Sequence, residues 1–214
     1  MATSRQQRIV QFREATLSGE REEADHILFR ILYGLPADIQ IAVARHLTAR
    51  FLPIFRANHP EVTWVAPLLD DLDAYHREHE QGMPDEPENR FGGDMSFDVA
   101  LCALLRAVSF AKQNNLPRVT PSCCTALMSA VSARASNVWH CDDPEAVQAW
   151  NHDDSETLRG RNARHNPASQ AVTKREWLIV ADWLEEHGVG DFPEADEAEC
   201  EHWLAWWLDR ECLL

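Results

Sequence analysis

The apolar residues between Ile39 and His79 constrain this chain more than any other feature in it. Ile39, Val43, Leu47, Phe51 and Ile54 recur at spacings of four and three. Trp64, Leu68, Leu72 and Tyr75 do the same after a break at Asn58-His59-Pro60. Residues so spaced share one side of a 3.6-residue helix, so the stretch reads as two amphipathic helices joined by a short turn.

The rest of the chain follows the same period. Residues 3–18 form a first helix through Ile9, Phe12 and Leu17, ending near Gly19, and residues 20–33 a second, closed by Gly34. Pro36 sits where a first-turn proline opens a third helix, and Pro53, inside the apolar pattern, kinks or shortens it after Leu52. Pro60 opens a fourth, running into the charged segment from Tyr75 to Gly82. A fifth starts at Ser96 and carries near-continuous apolar character around Val99 to Phe110, which predicts a central position.

Thr120-Pro121 reads as a cap and first-turn proline for the next helix, whose small residues Ser129, Ala130, Ser132 and Ala133 permit close approach. Asp143-Pro144 repeats that signal for a short helix. Thr173 and Glu176 have the spacing of a capping box, opening a helix through Trp177, Val180, Ala181 and Leu184 that stops at Gly188. The last helix starts near Pro193 and carries Cys200, Trp203, Leu204, Trp207 and Leu208. An acidic loop at 83–94 and an irregular polar segment at 151–170 interrupt the pattern, the latter holding Arg159, Arg161 and Arg164. No segment alternates as a strand does. The expected fold is all-α over a single domain, 1–214: an antiparallel bundle of about eight helices, or the same helix pairs stacked as hairpins.

Charge then limits the partners. Thirty-five acidic residues face 20 basic ones for a net charge of −15, and Lys112 and Lys174 are the only lysines. Such a field attracts basic partners and works against binding to nucleic acid or an anionic membrane. No run of about 18 apolar residues predicts a membrane span. The N-terminus lacks the apolar stretch and small-residue cleavage site of a signal peptide, so a cytoplasmic location is expected. The six cysteines, at 102, 123, 124, 141, 200 and 212, show no metal-binding spacing and are expected to be reduced and structural.

No catalytic signature names a reaction. Asp73, His76, His79 and Glu80 form the sharpest metal candidate, since His76 and His79 are three apart and share a helix face. They equally suit a solvated C-terminal turn, where histidine favours the helix dipole. His140-Cys141-Asp142-Asp143 and His152-Asp153-Asp154 offer residue types for ligation or nucleophilic work, without flanking glycines or an evident oxyanion hole. Gly92-Gly93 stands without a phosphate-loop sequence, and no cofactor is expected.

Charge distribution carries more. Residues 70–98 hold ten acids against Arg77 and Arg90, and residues 182–211 hold eleven against Arg210, whereas the first 50 residues balance seven arginines with six acids. The candidate partner-binding residues are Asp70, Asp71 and Asp73 in the first acidic segment, and Glu197 and Glu201 in the second. Trp206 joins them, lying off the stripe shared by Trp203 and Trp207 and so a candidate exposed anchor.

Ala42-Val-Ala-Arg45 running into Phe51-Leu-Pro-Ile-Phe55, then His59-Pro60, Gly82 and another alanine-rich helix, resembles an all-helical family of immunity proteins from bacterial polymorphic-toxin systems. The resemblance covers about residues 40–110; the acidic loop at 83–94 and the tryptophan-rich C-terminal third depart from it. It implies a non-enzymatic protein that binds and neutralises a cognate toxin. An acidic inhibitor suits a basic nuclease, whose cationic groove it would occupy. Two other readings stand beside it: an oligomeric scaffold or regulator with a tryptophan-rich interface, and a metal-dependent hydrolase using His76 and His79.

Overall fold

The computed structural model describes residues 4–78, 93–136 and 167–211, with side chains in 4–75, 93–136 and 167–209. The described residues form ten α-helices and no strand, packed against one another as an all-helical bundle. Helices α1 (Arg5–Ser18) and α2 (Arg21–Leu32) make a hairpin around Gly19, whose φ of 81° is the left-handed conformation that ends α1. Ser4 caps α1 with a reciprocal bond to Gln7.

The apolar stretch from Ile39 onward is helical but more broken than its spacing implies. Helix α3 (Ala37–Ala49) ends before Pro53, and a new short helix, α4 (Leu52–Asn58), takes that proline into its first turn. The shortening expected at Pro53 is therefore a break. Pro60 does not open the next helix: residues 59–64 are non-helical, and α5 (Val65–Asp70) is separated from α6 (Leu72–Glu78) by Asp71. The β-branched pair Val62-Thr63 weakens a helix start there. At the break the Asp71 carboxylate accepts the Ala74 amide at 2.8 Å, so this residue works as a cap rather than as helix interior.

Helices α7 (Asp94–Lys112) and α8 (Leu116–Ala135) form the main hairpin. Asn114, at φ 54°, makes the turn, a conformation asparagine tolerates better than most residues. Gly93 precedes α7 at φ 94°, where a Cβ would collide with the Ala133 carbonyl and the Phe51 ring. The expected cap-and-proline start at Thr120-Pro121 is corrected by α8, which begins four residues earlier and keeps Pro121 inside the helix. The Thr120 hydroxyl instead donates to Gln40 Oε1 at 2.8 Å, tying α8 to α3. Pro117 occupies the first turn in its place.

Helix α8, not α7, is the central element: it packs against α2, α3, α7, α9 (Pro167–Glu186) and α10 (Glu197–Glu211). Its buried Cys123, Cys124, Ala126, Ala130 and Ala133 let several helices approach at once. Stacked hairpins touch only their neighbours, so this many-sided packing makes a bundle. The capping box expected at Thr173–Glu176 is also corrected, because α9 is already helical at Pro167. Glu176 is fully buried and takes two hydrogen bonds from Arg50, at 2.7 and 3.3 Å, and one from Arg134 at 3.3 Å. Helix α10 begins four residues after Pro193, capped by Asp196, which accepts the Glu199 amide at 2.8 Å. The short helix expected near Asp143 lies outside the described residues.

Phe12, Phe29, Phe51, Phe55, Phe97 and Trp177 centre the core. Arg5, 1% exposed, holds the α2 end to the chain before α10 by donating to the carbonyls of Ile31, Tyr33 and Pro193. The Ile31 and Tyr33 carbonyls would otherwise be orphaned at the α2 terminus. Cys102, Cys123, Cys124 and Cys200 are unbridged, and burial raises the thiols of Cys102, Cys123 and Cys200, the last to about 11, which disfavours the thiolate.

Candidate acidic interface

The α5–α6 corner presents carboxylates because its large apolar side chains turn the other way. Val65, Leu68, Leu69, Leu72 and Tyr75 are buried, and the intervening Asp70, Asp71 and Asp73 are exposed. Arg45 on α3 secures the corner through backbone, donating to the carbonyls of Leu69 at 3.4 Å and Asp70 at 3.2 Å. Its charge is thus spent on the helix end rather than on a carboxylate. Lys112, at the end of α7, approaches Asp73 Oδ1 at 3.3 Å, with the two side chains 37% and 71% exposed. A pair that open holds its geometry weakly. Asp71 accepts the Ala74 amide, as above. The three carboxylates crowd one corner and face solvent.

The second acidic segment is built differently. Helix α9 packs on α1 and α10 on α2, which brings Arg8, Arg13 and Arg30 against acids of the last 33 residues. Arg8 donates to Glu194 at 2.9 Å, and Arg13 to both Asp182 and Glu185 at 2.8 and 2.9 Å. Arg30 reaches Glu201 through two bonds, at 2.6 and 3.3 Å. The hydrogen bond from Arg30 lowers the Glu201 carboxyl below its ordinary range, and the same bond raises the guanidinium. Among the described residues, four of the eleven acids counted in this segment are therefore answered by arginines. Glu197 and Glu199, in the first turn of α10, remain exposed.

Of the residues singled out from sequence, Asp70, Asp71 and Asp73 come together, and Glu197, Glu201 and Trp206 lie along α10. The two groups are not adjacent: α6 packs on α7, while α10 rests on α2 and α8. Trp206 is half-buried, edge-on to Trp203 at 5.3 Å, with the Arg118 guanidinium 6.0 Å from its ring. Nine residues beyond Glu197, it faces about 180° away from that carboxylate around the helix. Trp207, by contrast, is core, 3% exposed and stacked on Phe29 at 5.3 Å.

Sequence reading passed over one buried polar pair. His59 Nε2 lies 2.6 Å from Asp94 Oδ2, both residues under 3% exposed, among the rings of Phe55 and Phe97. It joins the end of α4 to the start of α7, and its depth makes it a tie rather than a site open to substrate. Only the turn at His59-Pro60 and the end of the acidic loop marked these residues in the sequence.

Among the described residues, no three His, Cys, Asp or Glu side chains gather as a metal ion requires, and no helix is long and apolar enough to cross a membrane. The His76 side chain, His79 and Glu80, the clusters at 140–143 and 152–154, and Arg159, Arg161 and Arg164 lie outside the described residues. Compared with protein-family models, curated proteins and solved structures, the chain finds no match.

Proposed function

We propose that this chain is a non-enzymatic acidic binding protein that holds a basic protein partner against its α5–α6 corner. One observation carries the reading: Asp70, Asp71 and Asp73 crowd an exposed corner, with the nearby Arg45 bonded to backbone carbonyls. Carboxylates so placed raise the local concentration of a cationic partner and speed its encounter. Together with the resemblance of residues 40–110, this favours an immunity protein that neutralises a basic toxin domain by covering its cationic groove. Glu197 and Glu199 form a lesser acidic patch, and Glu201 is committed to Arg30.

The test is capture of a basic protein from a bacterial lysate at low salt, followed by association kinetics with that protein. The triple variant Asp70→Asn, Asp71→Asn, Asp73→Asn is expected to associate at least tenfold more slowly, and Glu197→Gln with Glu199→Gln to change the rate less than threefold. Equal rates for wild type and the triple variant at low salt would sink the proposal.

A scaffold built on the tryptophan-rich end is the second reading, favoured by the half-buried Trp203–Trp206 pair and the exposed Leu116. It calls for a native mass above the monomer that Trp206→Ala lowers. Trp207→Ala is the wrong probe, because that ring is core.

A further inference from the structure

The end of α1, the start of α2, the end of α8 and the first turns of α9 line a half-open cavity of about 830 Å³. This lies within the roughly 300–1,000 Å³ typical of small-molecule sites. In a chain of net charge −15, no aspartate or glutamate is among the described residues that line it, whereas Arg21 and Lys174 are.

Two donors in the walls are unmet. The indole Nε1–H of Trp177 and the hydroxyl of Thr16 are buried without a protein partner, in residues only 2% and 4% exposed. A buried polar group left unmade costs on the order of 1–3 kcal/mol, and native proteins meet such groups with water or ligand. Nearby carbonyls are already engaged. Ser18 donates to Ala15 O at 3.0 Å, Ser169 to Ala135 O at 2.9 Å, and Lys174 Nζ to Leu17 O at 2.9 Å. An ammonium has three donors, so that bond leaves Lys174 two. Arg21 Nε stands 3.9 Å from Asp25 Oδ2, too far for a hydrogen bond. Burial raises the Asp25 carboxyl to about 7, so near neutral pH it offsets the guanidinium only in part.

We propose that this cavity binds a small organic anion whose carboxylate or phosphate group lies between Arg21 and Lys174, against the wall that holds the Trp177 indole and the Thr16 hydroxyl. The surrounding negative field repels anions at long range, so the affinity comes from these wall contacts. The site belongs to the α1–α2–α8–α9 end and uses none of the α5–α6 carboxylates, so it stands or falls separately from the proposed interface.

The test reads the indole N–H signals of the full chain by NMR, with Trp177 assigned from the signal that Trp177→Phe removes. Inorganic phosphate and succinate are titrated separately at ionic strength held constant with chloride. The expected result is a saturable shift of the Trp177 signal, with the dissociation constant raised at least tenfold in Lys174→Gln and in Arg21→Gln. Unchanged signals from the other indoles would show that both variants remain folded. A response to phosphate alone assigns a phosphoryl ligand, and a response to succinate alone a carboxylate. No saturable shift with either probe, meaning a cavity that holds water alone, overturns the proposal. So does a shift that survives in the Arg21→Gln, Lys174→Gln double variant.

Discussion

The two acidic regions of this molecule look alike in composition and differ in what their charges do. At the α1–α9 and α2–α10 contacts, carboxylates meet arginines from far along the chain and join one end of the protein to the other. At the α5–α6 corner the carboxylates stay exposed, Asp73 beside Lys112 and Asp71 on the Ala74 amide, while the apolar residues between them do the packing. The first arrangement turns acidic residues into parts of the fold. The second leaves the fold to leucines and turns the charge to solvent, where the proposed partner would meet it. Neutralising acids one at a time separates these roles, because the loss of stability should follow burial and pairing, not the local count of charges.

The largest loss is expected at Glu176, the most deeply paired acid. It is fully buried between Arg50 and Arg134, whose side chain is 7% exposed. Glu176→Gln keeps the shape but leaves Arg134 charged and uncompensated, a change that costs about 3–5 kcal/mol when one member of a buried pair is removed. Urea denaturation measures it directly. A loss below 1 kcal/mol would mean that Arg134 reaches water without unfolding, and that this acid does not tie α3, α8 and α9 together.

Asp25 provides the opposite sign. It is 8% exposed, its Oδ1 has no partner, and burial raises its carboxyl to about 7. The unfolded chain's aspartate titrates near 4, so between about pH 4 and 7 the folded state binds the extra proton. Stability therefore falls as pH rises through that window and stays lower above it. Asp25→Asn should remove this slope and stabilise the protein by roughly 2–4 kcal/mol at pH 8, with little effect at pH 4. Denaturant midpoints at the two pH values check it; an equal change at both would remove titration as the cause.

These paired and unpaired acids show what the sequence can carry. Helix identity was legible wherever an apolar stripe ran for three turns, and so were the glycine stops at Gly19 and Gly188, both left-handed in the structure. Helix starts read from cap-like residues failed where a tertiary partner claimed the same side chain. Thr120 bonds Gln40 rather than capping, and Glu176 bonds two arginines rather than closing a box. The corner at Asp70, Asp71 and Asp73 was legible because its residues are local. The pairing of Arg13 with Asp182 and Glu185 was not, since it depends on which helices pack across more than 160 residues. The cavity was hidden for the same reason, its walls being drawn from several separated helices.

The arginine ties at the surface should have intermediate worth. Arg13 is 30% exposed and meets Asp182 and Glu185, themselves 55% and 39% exposed. Exposed pairs contribute about 0.2–1 kcal/mol each, so Arg13→Ala should cost on the order of 1 kcal/mol, and less as salt is raised. A double-mutant cycle with Asp182→Asn and Glu185→Gln, repeated in 0.05 and 1 M chloride, measures the coupling. Coupling that persists undiminished at high salt would mean that the side-chain stems, and not the charges, make the contact.

The smallest effect on stability is expected where the effect on binding is largest. Asp70 ends α5, where a negative charge opposes the helix dipole, so Asp70→Asn should be neutral or slightly stabilising. Asp71→Asn retains a good cap for Ala74, and Asp73→Asn weakens a solvent-screened contact with Lys112. The triple asparagine variant should therefore unfold within about 0.5 kcal/mol of wild type while losing its attraction for a basic partner. Asp71→Ala is the informative control: it removes one charge and the cap together, and should cost about 1 kcal/mol. If the asparagine variant instead lost as much stability as Arg13→Ala, these carboxylates would be holding the corner together. The contrast between acids that build the fold and acids that face outward would then disappear.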